Sequence, residues 1–286
     1  MQASSGAAAG LGLLAAATWG GSDFAGGWGA RRCSPVLITA AGQILSLAAL
    51  LIACFALRIP LPASRFLIYG AIGGFEGAFA LAIFYRALAM GAMGLTAALT
   101  GLLTAFVPVV FELFHSGWPG VLTSIGLAAG LLAIWLIAQA PVDAGAATPH
   151  RALLLGACAG VGFGVQLIFF KMAAAGGVMW ALTSGRVAGA AAILLVVVAA
   201  PPKGLRRGFW LPGLISGFIS GTLDSTGNLF YMMASQVGRL DAAAVISSMY
   251  PAGTILLAGF ILRERPTARQ LAGMGLALAA VVLLSA

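Results

Sequence analysis

Charged residues are scarce in this sequence. Only 8% of its 286 residues are Asp, Glu, Lys or Arg and 61% are hydrophobic, whereas about 25% of an ordinary soluble domain is charged. A soluble core of this size could not bury so much apolar surface. The composition therefore excludes a soluble protein and predicts an integral membrane protein.

Histidine and cysteine are also rare, with two and three copies, and this limits the chemistry. No His, Cys and carboxylate residues lie at metal-ligand spacing, and the cysteines show no pairing pattern. The sequence contains neither the HExxH motif of zinc proteases nor a Ser/His/Asp arrangement. It also lacks the GxxxxGK[ST] motif that binds the phosphates of ATP. We predict no metal, no cofactor and no enzymatic activity, with an intramembrane enzyme as the weakest alternative.

The net charge of +8 does not indicate a nucleic-acid partner. The 15 basic residues are scattered through short loops and form no stripe or patch. They are more frequent on loops 1–2, 5–6, 7–8 and 9–10 than on the opposite side, and the positive-inside rule then places both termini outside the cytoplasm.

The chain contains ten apolar stretches long enough to span a bilayer. They cover about 6–29, 35–57, 65–90, 94–115, 118–139, 150–174, 178–200, 209–237, 240–262 and 266–285. The longest connection, "APVDAGAATPHR", separates five spans from five. We predict a first repeat over 1–140, a linker over 141–150 and a second repeat over 151–286.

Two similar segments support an internal duplication. "FYRALAMGAMG" occupies 84–94 and "FYMMASQVGRL" occupies 230–240, and a proline (Pro119 or Pro266) follows each at nearly the same interval. Because five spans is an odd number, the second copy must enter the membrane from the opposite side. Such inverted repeats are typical of secondary transporters, which bind substrate near the midplane between the halves.

The order of the motifs resembles the EamA-type ten-span carriers of the drug/metabolite transporter superfamily. The resemblance rests on "TWGGSDFAGG" in span 1, "FYRALAMGAMGLTAAL" between spans 3 and 4, Pro108 and Pro251 inside spans 4 and 9, and "RERPTARQLAGMGLALAAVVLL" at the end. The Glu-Arg-Pro signature of that family survives at 264–266, whereas the first copy reads "FHSGWPG".

The resemblance implies an all-α inner-membrane protein whose two inverted five-helix repeats surround a central cavity. It implies a secondary active exporter of a small metabolite, such as an amino acid, working by alternating access within the lipid bilayer. Proton coupling and the choice between monomer and homodimer stay open. The first alternative is a multidrug or organic-cation exporter, and a less favoured one is a passive channel or scramblase. Relatives of this kind place their termini inside the cytoplasm, against the charge count, so the orientation also stays open.

Four charged side chains lie within predicted spans, where each costs at least ~2.5–3.5 kcal/mol on insertion scales. They are Asp23, Glu76, Arg186 and Asp224. Span 8 is the most informative, because its polar residues recur every four positions and share one helix face. These are Ser216, Ser220, Asp224 and Asn228. The pattern predicts a cavity-lining face, or alternatively a polar contact between helices.

The predicted substrate site collects the polar and aromatic residues of eight spans. It comprises Trp19, Asp23, Gln43, Glu76, Tyr85, Thr100, Gln166, Arg186, Ser220, Asp224, Asn228, Tyr231, Ser248 and Tyr250. Asp224 is the first candidate for proton coupling, followed by Glu76 and Asp23. Arg186 either pairs with Asp224 or binds a substrate carboxylate or phosphate, which its planar donors suit.

Overall fold

A computed structural model of the protein describes residues 2–90, 93–137, 150–199, 210–261 and 267–285. Within these ranges all regular structure is helical, and no strand is present. The helices are α1 Gln2–Ala30, α2 Pro35–Ala56, α3 Ser64–Ala89, α4 Met93–Ser116, α5 Val121–Ile137, α6 His150–Ala174, α7 Val178–Ala199, α8 Trp210–Val237, α9 Leu240–Ser247, α10 Tyr250–Ile261 and α11 Ala268–Ser285. The predicted all-α fold is confirmed. The predicted linker lies almost wholly outside the described residues.

Apolar surface covers the outside of the helix bundle. α2, α3, α6, α7 and residues Leu99–Ser116 of α4 are long and apolar enough to cross a membrane. Large side chains such as Ile52, Phe114 and Leu195 are mostly exposed. In water such a surface would be costly, whereas in a bilayer it contacts lipid. The structure therefore agrees with a multi-pass membrane protein.

The ninth predicted span is broken into two helices. α9 ends at Ser247, and α10 begins at Tyr250 after a two-residue turn. Pro251, the second residue of α10, has no N–H to bond to the carbonyl one turn earlier, and its ring disfavours a continuous helix. α4, in contrast, runs unbroken through Pro108.

The helices pack in matched pairs. α1 contacts α8 as α3 contacts α6, and α2 contacts α8 as α3 contacts α7. α1 also contacts α9 and α10, and the corresponding contact in the other half is that of α6 with α4. Two further contacts join corresponding helices to each other: α5 packs on α11, and α2 packs on α7. Exchanging α1 with α6, α2 with α7, α3 with α8, α4 with α9–α10 and α5 with α11 maps these pairs onto one another.

Glycines allow two of these pairs to approach to backbone contact. A methyl group at Gly221 of α8 would overlap Gly42 of α2, and one at Gly74 of α3 would overlap Gly185 of α7. Small residues permit such close crossings in membranes. The two crossings draw the middles of α2, α3, α7 and α8 together beside the site.

Candidate functional site

A small cavity lies inside the bundle between α1, α3, α4, α6, α8 and α10. Its walls are formed by Trp19, Asp23, Leu81, Thr104, Phe163, Gln166, Leu167, Asp224, Asn228 and Tyr250. The space open to the centre of a water-sized sphere is about 30 Å³, which is room for roughly two or three waters. A metabolite therefore fits only if the walls move apart.

Six of the residues predicted from the sequence line this cavity, namely Trp19, Asp23, Gln166, Asp224, Asn228 and Tyr250. Four lining residues were not in the predicted set: Leu81, Thr104, Phe163 and Leu167. Thr104 and Phe163 lie about one turn from the predicted Thr100 and Gln166. The helical period could therefore have pointed to them, whereas the two leucines carry no signal in an apolar sequence.

An ion pair joins Arg186 of α7 to the cavity residue Asp224 of α8. The guanidinium of Arg186 donates to Oδ2 of Asp224 and, from its other terminal nitrogen, to Oε1 of Gln43 at 3.1 Å. Nδ2 of Asn228 donates to the same Asp224 oxygen at 3.1 Å. The sequence left two roles open for Arg186, and in this structure its side chain is buried and held by Asp224.

Asp23 stands apart from this network. It lies on α1, 7% exposed, and its carboxyl faces the same cavity. No hydrogen bond or ion pair joins it to another residue in the described part of the chain. With Arg186 and Asp224 neutralising each other, an ionised Asp23 leaves the cavity with one uncompensated negative charge.

Aromatic rings form the wall beside Asp23. The Trp19 ring lies 5.9 Å from that of Tyr231, tilted by 32°, and meets Tyr250 edge-on at 6.3 Å. Phe163, another lining residue, packs edge-on against Phe84 at 5.9 Å. Aromatic faces of this kind attract cations and apolar groups.

Two further predicted residues, Tyr85 and Thr100, lie outside the cavity lining. Tyr85 of α3 is buried, and its hydroxyl lies 3.5 Å from the hydroxyl of Ser22 on α1. Thr100 donates from its side chain to the carbonyls of Thr96 and Gly156, both at 2.9 Å, and so joins α4 to α6.

Ser220 and Ser248 also lie outside the cavity lining. The Ser220 hydroxyl points back to the carbonyl of Gly217 at 3.3 Å. The Ser248 hydroxyl is buried in the turn between α9 and α10. On the span 8 face, Ser216 donates to the carbonyl of Ala25 on α1 and Ser220 bonds within α8, while Asp224 and Asn228 line the cavity.

Glu76 does not belong to the cavity lining. It lies at the centre of α3, partly exposed, with Oε1 against Gly162 of α6. Within the described residues, no group of three or more His, Cys, Asp or Glu side chains could hold a metal ion.

Comparison with known proteins shows two similarities, one in sequence and one in fold. The model of the EamA-like transporter family matches residues 150–286. One solved crystal structure aligns with 96% of this chain and 95% of its own, with a TM-score of 0.71 and 19% identity, which establishes a shared fold. No curated protein matches the chain. The segment from α6 to α11 is therefore similar to the EamA-like transporter family.

Proposed function

We propose that this protein is a secondary transporter of small amine-bearing metabolites in a cell inner membrane, and that Asp23 receives the substrate's ammonium group. The observation that carries the proposal is the unpaired Asp23 carboxyl in the cavity. A carboxylate kept from water without a partner is costly. A bound cation would remove that cost, which makes a positive group the complement of this site.

The ion pair supports the same substrate class. A substrate carboxylate that approached Arg186 would compete with Asp224, which already holds the guanidinium. An anion would also meet the negative Asp23. Both substrate classes favoured by the sequence, amino acids and organic cations, carry the positive nitrogen that the site requires, and the faces of Trp19 and Tyr250 suit its apolar part.

Asp23 is also the acid that we propose for proton coupling, in place of Asp224. The Asp224 carboxylate already accepts hydrogen bonds from Arg186 and Asn228. Asp23 lacks such donors among the described residues. When a proton and a substrate amine bind the same carboxyl alternately, the movement of protons across the membrane in one direction is coupled to the movement of substrate in the other.

Alternating access follows from two five-helix repeats, 1–140 and 151–286, with inverted topology. The matched helix pairs and the two glycine crossings support this arrangement. In such a transporter the two halves rock around a central site and expose it to each side in turn. The small cavity then corresponds to a state in which the walls are close together. Export is the direction implied by the resemblance of the sequence.

A thermal-shift screen on the detergent-purified protein tests the proposal. Amino acids, aliphatic amines, organic cations and sugar phosphates are compared for the wild type, Asp23→Asn and Glu76→Gln. Ligands that bind the folded state raise the Tm by mass action. We expect shifts with amine-bearing compounds that persist in Glu76→Gln and vanish in Asp23→Asn. Shifts with sugar phosphates alone, or amine shifts that survive Asp23→Asn, would refute it.

A further inference from the structure

Two tyrosines flank Trp19 and differ in one respect. Both rings pack on the indole and both residues are buried, at 0% exposure for Tyr231 and 4% for Tyr250. The Tyr231 hydroxyl donates to the carbonyl of Leu167 at 2.9 Å. The Tyr250 hydroxyl lies near that of Thr104, which donates to the carbonyl of Thr100 at 2.8 Å, and it makes no hydrogen bond of ordinary distance and angle among the described residues.

An unpaired hydroxyl in this position calls for a reason. Buried polar groups in native proteins are nearly always hydrogen-bonded, and an unpaired one opposes folding. Phenylalanine would fill the same space without the unpaired oxygen. The ring of Tyr250 lines the cavity together with Asp23, and the residue begins α10 just after the break in the ninth span.

We infer that Tyr250 is a specificity-determining residue whose hydroxyl binds a second polar group of the substrate, beside the ammonium on Asp23. This inference rests on the proposed function. The walls must separate before a metabolite enters, since the present cavity is about 30 Å³. When α10 moves away from α4, whose Gly101 and Thr104 lie beside the hydroxyl, a ligand takes the position of the missing partner.

The inference narrows the substrate class. A ligand that satisfies both groups carries an ammonium and a nearby hydrogen-bond acceptor, such as the carboxylate of an amino acid or the hydroxyl of an amino alcohol. A simple organic cation satisfies Asp23 alone. The carboxylate of an amino acid would then be held by a neutral donor, because Arg186 is occupied by Asp224.

Matched probes and matched variants test this inference. The probes are amino acids paired with the amines that lack only their carboxylate: leucine with isoamylamine, and phenylalanine with phenethylamine. Binding to the purified full-length protein is measured by calorimetry for the wild type, Tyr250→Phe and Tyr231→Phe. We expect Tyr250→Phe to weaken amino-acid binding by about 3- to 10-fold, the equivalent of one hydrogen bond, and to leave amine binding unchanged.

The stability of the ligand-free protein provides a second readout. Tyr250→Phe removes an unpaired hydroxyl, so the Tm should stay or rise, whereas Tyr231→Phe leaves the Leu167 carbonyl unpaired and should lower it. A lower Tm for Tyr250→Phe, or an equal loss of amine and amino-acid binding, would overturn the inference. If the probes bind through Asp23 but Tyr250→Phe changes nothing, the inference fails and the proposed function stands. If no probe binds the wild type, both fail.

Discussion

The pairing of Arg186 with Asp224 predicts a strongly non-additive response to mutation. Their side chains are only 6% and 15% exposed, so each charge depends on the other for stabilisation. Removing one partner of a buried pair leaves an uncompensated charge, which typically costs about 3–5 kcal/mol. We therefore expect Arg186→Met and Asp224→Asn each to destabilise the protein by roughly that amount.

The double variant should recover much of this loss. Arg186→Met with Asp224→Asn removes both charges, and replacing a whole buried pair is often close to neutral. The assay is a double-mutant cycle on reversible unfolding in mixed micelles, with the Tm in detergent as a parallel measure. Arg65→Met is a control, because Arg65 is exposed in the first turn of α3 and its removal leaves no buried charge behind. Additive losses at Arg186 and Asp224 would show that the two side chains do not depend on each other.

Three other changes have expected outcomes. Gly74→Ala should strongly lower the Tm because the methyl group overlaps Gly185, whereas the control Gly10→Ala, with open space around it, should be neutral or stabilising; equal effects would contradict the glycine crossing. Pro251→Ala should retain ligand binding but slow transport in proteoliposomes, because without the proline α9 and α10 can join into one continuous helix. An unchanged transport rate would show that the break between α9 and α10 has no role in transport. Trp180→Phe should cost about 1 kcal/mol, since Nε1 donates to a carbonyl in the α2–α3 connection at 2.8 Å; an unchanged Tm would contradict this.

The helices could be predicted from the sequence because a bilayer imposes a length on apolar runs. The break in the ninth span was the exception. A proline interrupts α9–α10 but not α4, and the difference depends on where in the helix the proline falls. At Pro251 the chain begins a new helix, where a missing N–H is tolerated. The inverted arrangement of the two repeats stays a prediction.

The site could be predicted only in part, because polar residues in a membrane helix have several uses. Asp224 and Asn228 reach the cavity as the helical period indicated. Glu76 shares the chemistry of Asp23 but faces α6, and no pattern of hydrophobicity distinguishes the inner face of a helix that is apolar all round. The lack of a partner at Asp23 and Tyr250 depends on neighbours from other helices, so no single stretch of sequence reveals it.

Transport in proteoliposomes tests the central claim most directly. Uptake of radiolabelled leucine and isoamylamine is followed with and without an imposed pH gradient, for the wild type, Asp23→Asn and Glu76→Gln. The account predicts gradient-driven transport by the wild type and Glu76→Gln and none by Asp23→Asn. Transport by Asp23→Asn at the wild-type rate, with the same response to the gradient, would contradict the claim that the unpaired carboxyl on α1 carries the substrate's charge.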